Sequence, residues 1–374
     1  MDSVRRLLLS GALGLGLTRC AMPGRPPPAP GDLDTMRLDR GFSALAARAR
    51  PGLLNLGVLV PRGERLWCAN PSARMPMQSV FNVPLAAAAL AEVDAGRLKL
   101  DERIAIGALD LSPPASAIDA AWPTPPEGHV LALPAIDLIA LAVQKSDNTA
   151  ADVMMKRIGG PGAVTAWLRS KKILDMSIDR YERELQQEAA GMDSFRPAWK
   201  DEGAWTAARD AVPAATREAA MNAYLADPRD TTTVPAVLSL LYKLALGELI
   251  SPASTRLLLR LMTATSTGAH RLRAGLPADA ALAHKTGSAR TDLGYTPATN
   301  DVGIVTLRGG RRFAIAAFLA GSTATETDRD RLIADAARLV VKAMGSWPAR
   351  GPSGRFAIGR ASLYRRVAAR SAGP

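Results

Sequence analysis

Histidine and cysteine are nearly missing from this chain. Three histidines, His129, His270 and His284, are scattered over 374 residues, and the only cysteines are Cys20 and Cys68. That leaves no Cys/His ligand spacing, so neither a structural zinc site nor any other metal or cofactor is expected. Cys20 falls in an N-terminal leader, which leaves Cys68 without a partner for an intramolecular disulfide. Aromatic residues make up only 5% of the chain, and no dense Lys/Arg block is interleaved with them. The net charge of +12 is spread along the sequence. It therefore reads as surface character, and nucleic acid is not expected as a partner. The one long apolar run near the start, Leu7–Leu17, is too short for an ordinary membrane-spanning helix.

What is present is enough chain for a sizeable core, with 48% hydrophobic and 22% charged residues. Arg5-Arg6 ahead of the Leu7–Leu17 run marks residues 1–21 as an export signal, which points to the periplasm. The Ser3-Val4-Arg5-Arg6-Leu7-Leu8 stretch fits a twin-arginine signal loosely, and Leu17-Thr18-Arg19-Cys20 resembles a lipoprotein box, so the route and any membrane anchor stay open. Residues 22–32 form a Pro-rich linker, and 345–374 form a basic tail expected to be disordered.

Between them the periodicity predicts a helix over 33–47, strands over 53–60 and 65–69, and a helix running from Ser79 to near Gly96. Residues 112–128 read as loop. Helices are expected over 133–143, 149–158, 163–171, 235–246 and 251–262, with Ser251 as a cap. The stretch 179–230 reads as long and polar with one helix over 214–225. Strands follow over 281–289, 301–307 and 312–320, then a helix over 328–344. Strands at both ends and helices between them imply an α+β fold. Its architecture is one antiparallel five-stranded sheet flanked by helices, with an all-α lobe, roughly 78–262, inserted into a domain covering 33–344. A site belongs in the cleft between the lobes.

Four short segments carry chemistry: Ser79-Val80-Phe81-Asn82, Ser146-Asp147-Asn148, a loop bearing Arg180 and Glu182, and Lys285-Thr286-Gly287-Ser288. Each has an ordinary reading alone: Ser79 or Asn148 as a helix cap, Lys285 as a solvated strand lysine, Glu182 as a loop carboxylate, Arg271 as a surface charge. In this order, however, they resemble the class A serine β-lactamases, whose signature is S-x-x-K, S-D-N and K-T-G. Asn300-Asp301 after the Lys-Thr-Gly segment and Asp230 at the close of the Ω-loop add to the likeness, which extends over residues 33–344. Residues 191–225 are a long Ω-loop insertion relative to that pattern, and the segment around Trp122 is lengthened. Arg271 and the stretch from Ala298 to Asp301 resemble the extended-spectrum subgroup.

The resemblance implies a hydrolase acting on the cyclic amide of β-lactam antibiotics. Ser79 is the nucleophile of an acyl-enzyme, and the backbone N–H groups of Ser79 and Ser288 form the oxyanion hole. Ser146 delivers a proton to the departing nitrogen. Lys285, Thr286, Gly287, Ser288 and Arg271 line the site for the substrate carboxylate, and Asn148 meets the substrate side chain. Glu182 activates the water for deacylation, and Arg180 pairs with Asp230 across the base of the loop. A monomer without an obligate protein partner is expected.

Two positions depart from the pattern. Asn82 stands where the family has lysine, and an amide cannot accept a proton at neutral pH. Losing that cation is expected to slow turnover and to raise the Glu182 pKa. Gln186 stands where the family has asparagine beside the deacylating water. The alternatives are a slow-acylating or non-catalytic β-lactam or peptidoglycan binder, motivated by Asn82, and a D-Ala-D-Ala carboxypeptidase or esterase, against which Glu182 argues.

Overall fold

The computed structural model describes residues 33–345, apart from 61–64, 119–129, 197–198 and 200. The export signal, the linker, the basic tail beyond Gly345, the Pro61-Arg62-Gly63 turn and the lengthened segment around Trp122 lie outside the described residues. In chain order the strands are β1 (Leu53–Val60), β2 (Arg65–Cys68), β3 (Arg74–Pro76), β4 (Arg103–Ile106), β5 (Leu131–Pro134), β6 (Thr231–Thr233), β7 (Ala281–Ser288), β8 (Thr296–Thr306) and β9 (Arg312–Ser322).

The two ends of the sequence build one antiparallel sheet in the order β2-β1-β9-β8-β7, the five-stranded α+β arrangement that the sequence predicts. Its strands alternate with period two, so each face feeds a separate core. Leu54, Leu56, Val58, Phe313, Ile315 and Leu319 pack with the terminal helices Thr35–Ala49 and Glu326–Ala343. Val302, Ile304, Ala314, Ala316 and Phe318 face the helices between β2 and β7. Burying one such large aliphatic or aromatic side chain contributes about 1.5–3 kcal/mol. The first and last helices close on each other, and the Asp34 N–H donates to the Ala343 carbonyl at 2.9 Å.

At the centre of the helical side lies the Asn82–Asp94 helix, in which every residue from Asn82 to Leu90 is buried. A helix that is apolar all round is surrounded by its neighbours, and its run of alanines lets them approach closely. Pro84 is tolerated because it sits in the first turn, where its N–H would have no partner within the helix.

Three expectations need correction. The stretch over 179–230 holds three helices rather than one: Glu182–Ala189, Glu202–Asp210 and Ala214–Ala226. Asp201 caps the second, accepting from the Ala204 N–H at 2.8 Å, and Trp205 buries its inner face with Ala190 and Met192. So few apolar residues carry that small core that the periodicity is weak. The helix expected over 133–143 is split. Leu131–Pro134 pairs with β4 as strand, and the helix runs only from Ala135 to Ala140 before a wider turn over Leu141–Lys145. A short apolar run reads as either element, and pairing with β4 decides it. Strand β8 begins at Thr296, five residues earlier than expected, because its first half buries polar residues that serve the cleft.

Candidate active site

Ser79 sits on a tight 3-10 turn, Gln78–Phe81, that leads into the Asn82–Asp94 helix. Its side chain makes no capping bond there, so the helix-cap reading fails. The turn is held from the sheet side. Asn300 Nδ2 donates to the carbonyls of Pro76 at 2.8 Å and Met77 at 3.1 Å. Gly287 passes so close that a β-carbon there would lie 2.3 Å from Met77 O. This brings the outer strand β7 against the serine. An edge strand keeps one row of backbone N–H groups unpaired, which suits Ser288 at the end of β7 to the oxyanion role.

A cleft of about 440 Å³ opens over the serine, lined by Ser79, Ser146, Asn148, Gln186, Thr286, Ser288, Arg271 and Arg290 among others. Asn82, Glu182 and Lys285 are almost completely buried. Both titratable groups therefore stand one hydrogen bond behind the cleft surface. Lys285 Nζ donates to Ser146 Oγ and, at 2.8 Å, to Thr286 O. Gln186 Nε2 donates to Glu182 Oε2 at 2.8 Å. Ser146 reaches its position through a left-handed backbone, φ 57°, at the end of the 141–145 turn.

Burial dominates the electrostatics. It pushes the Glu182 carboxyl up to about 7; the Gln186 hydrogen bond and the Lys285 charge oppose the rise, and Asp152 and Asp230 add to it. The direction matches the expectation from Asn82, but desolvation is the first cause. Burial also draws Lys285 down to about 7, against the pull of Asp301 and Glu182.

Asn82 Nδ2 donates to Ala142 O at 3.0 Å, tying the serine helix to the turn that ends in Ser146. Its Oδ1 is buried without a protein hydrogen-bond partner, as is Glu182 Oε1. Position 82 thus supplies a neutral brace between the serine helix and the turn that ends in Ser146.

The other predicted residues fall as follows. Arg180 Nε donates to Asp230 Oδ2 at 2.6 Å, and Asp230 also accepts the backbone N–H groups of Asp179 and Arg180, closing the base of the loop. Asn148 Nδ2 donates to Pro114 O at 2.5 Å, while the cap of its helix is Asp147. Thr286 shares a 2.7 Å hydroxyl contact with Thr267. Arg271 reaches the cleft wall, but its Nε is committed to Asp330 and its Nη1 to the Asn300 carbonyl.

Sequence reasoning missed Asp152. Its carboxylate accepts the N–H of Glu182 at 2.7 Å, the N–H of Arg183 at 3.1 Å and the Ser112 hydroxyl at 2.6 Å. It fixes the first turn of the helix that carries Glu182. An acidic residue inside an otherwise apolar stretch, Ala150–Met155, is the one signal that could have flagged it. Among the described residues, no group of three or more His, Cys, Asp or Glu could hold a metal ion.

A family model described as the Beta-lactamase enzyme family matches residues 45–344. The chain is 30% identical to Beta-lactamase VEB-1 of Pseudomonas aeruginosa over 271 residues, covering 72% of this chain and 78% of that protein. Among solved structures, a beta-lactamase from Chitinophaga pinensis superposes with TM-score 0.67 at 31% identity, over 82% of this chain and 99% of that one. An ancestral (GNCA) class A beta-lactamase superposes with TM-score 0.65 at 34% identity, over 82% and 99%.

Proposed function

This chain belongs to the class A serine β-lactamase family and acts on β-lactams, and we propose that it is an exported enzyme that works through an acyl-enzyme on Ser79 at a rate held down by Asn82. The observation that carries this reading is the shared cleft, onto which Ser79, the Ser146–Lys285 pair and the Gln186–Glu182 pair all open.

In acylation Ser79 Oγ bonds to the lactam carbonyl carbon, and its proton goes to the Glu182 carboxylate through water. The N–H groups of Ser79 and Ser288 receive the oxyanion. As the C–N bond breaks, Ser146 protonates the nitrogen and takes a proton from Lys285, whose ammonium is already hydrogen-bonded to it. Before the second step the proton held by Glu182 returns through water to Lys285; in deacylation water then attacks the ester carbon, Glu182 takes its proton, and as the C–O bond breaks that proton passes to Ser79 Oγ and restores the hydroxyl. Asn82 offers no basic nitrogen for the first step, so acylation depends on a carboxyl that is only about half ionised near neutral pH.

Hydrolysis of a chromogenic cephalosporin by the purified protein tests this. Turnover abolished by Ser79→Ala is expected, with a covalent adduct on the unmutated protein seen by intact mass. Absence of both turnover and adduct rejects the reading. A long-lived adduct with negligible turnover would favour the second reading, a slow-acylating binder, which the neutral Asn82 supports.

A further inference from the structure

The last helix of the inserted segment, Ala214–Ala226, reaches the residue beside the nucleophile. Gln78 Nε2 donates to the Tyr224 hydroxyl at 2.6 Å, and Gln78 Oε1 accepts from Gln186 Nε2 at 3.3 Å. Gln186 Nε2 donates in turn to Glu182 Oε2 at 2.8 Å. We propose that Tyr224 and Gln78 are positioning residues for Glu182: the insertion sets, through these three hydrogen bonds, the orientation of the Gln186 amide and with it the placement of the deacylating carboxylate. This rests on the acyl-enzyme reading above.

The donor count supports the assignment. An amide nitrogen carries two hydrogens. Those of Gln186 go one to Gln78 Oε1 and one to Glu182 Oε2, so the atom that Gln186 has left for the cleft is its carbonyl oxygen. Take away Gln78 and one hydrogen loses its acceptor, and the amide is free to turn. Gln78 is itself held in a left-handed backbone, φ 47°, which is strained for a residue with a β-carbon. The strain is offset by the bonds its buried side chain makes at both ends of its amide. Tyr224 is buried as well, and burial raises its phenol well above the ordinary range, so it stays neutral.

The helix bearing Tyr224 is anchored independently of this chain of bonds. Arg217 forms an ion pair with Asp292 at 2.9 Å, in the connection between β7 and β8. The insertion thus grips the cleft edge at one point and the residue before Ser79 at another. A loop element with two such anchors can hold a carboxylate to within the fraction of an ångström that catalysis requires; a misplacement of about 1 Å can cost on the order of 10²-fold.

The test uses the full-length protein with Tyr224→Phe, Gln78→Met and the pair together. Acylation and deacylation rate constants are measured separately with a chromogenic cephalosporin, by pre-steady-state absorbance and intact mass. Each single variant is expected to slow deacylation about tenfold or more, and acylation with it because both steps draw on Glu182, at an unchanged melting temperature. The double variant should be no slower than the slower single one, because one chain of bonds is broken only once. Unchanged deacylation in Tyr224→Phe overturns the proposal. So does a multiplicative double variant, or an equal fall of both steps with a lowered melting temperature. If the unmutated protein itself never acylates, the acyl-enzyme reading fails and takes this inference with it. That result is distinct from normal acylation with an unaffected second step.

Discussion

Gly287 and Met77 leave no room for a side chain between them: a β-carbon on Gly287 would stand 2.3 Å from the Met77 carbonyl oxygen and 3.2 Å from the Val80 nitrogen. Both obstacles are backbone atoms of the serine turn, so relief requires strand β7 to move away from it. The substitution Gly287→Ala is therefore expected to lower kcat/KM on a chromogenic cephalosporin by about 10²-fold through misplacement. Folding should survive, because the sheet pairing of β7 with β8 is untouched. Steady-state kinetics alongside a thermal melt decides it. A wild-type rate would mean that β7 does not set the oxyanion geometry.

Asn82→Lys should restore a base and a cation beside Ser79. General-base assistance is worth roughly 10²–10⁴-fold, and a gain in kcat/KM of that order is expected, with the added charge lowering the Glu182 pKa. The paired rate measurement has a clear negative outcome. No gain would mean that Glu182 alone serves acylation, and that the asparagine brace to Ala142 matters more than the missing charge.

The rate should have a narrow dependence on pH. Glu182 must be ionised to accept a proton, and with its carboxyl near 7 it loses that ability as the pH falls below 7. Lys285 must be charged to feed Ser146, and with its ammonium near 7 it loses that charge as the pH rises above 7. The kcat/KM profile is expected to be a tight bell centred near neutrality, its limbs belonging to the coupled pair rather than to either group alone. A broad plateau, as ordinary carboxyl and ammonium groups would produce, would show that burial does not govern the site.

Asp152→Asn should loosen the Glu182 helix. The amide replaces one carboxylate oxygen with a donor, facing a backbone N–H or the Ser112 hydroxyl that now finds an acceptor. Leaving one such buried group unpaired costs about 1–3 kcal/mol. A lower melting temperature is expected together with slower deacylation. A variant as stable as the parent would place the support of Glu182 elsewhere.

The candidate segments stood out in the sequence because each holds chemically reactive side chains within three or four residues. Ser79, Ser146, Glu182 and Lys285 come together from four places in the chain as their order implies. The support for them was not legible. Asp152, Gln78 and Tyr224 act through hydrogen bonds that span 30 to 146 positions of sequence separation, and little in the local sequence points to those partners. The sheet could be read from its period-two strands, but β3 and β6 could not. They are three residues each, and their polar threonines and arginine pair only because the serine turn and the loop closure meet there. The Glu202–Asp210 helix of the insertion was hidden for the opposite reason, since one buried tryptophan does the work of an apolar face.

The contact between Asp34 and Ala343 makes the domain a ring in all but covalent connection. Its unity comes from how the elements seal against one another, and the point at which synthesis starts is incidental to that. A chain reordered to begin at the exposed Gly309-Gly310 bend, with the old ends spliced across the narrow gap, would keep every layer of the sandwich intact. The helices Thr35–Ala49 and Glu326–Ala343 would then be neighbours in sequence, and the pairing of β9 with β8 would become the long-range closure of the domain.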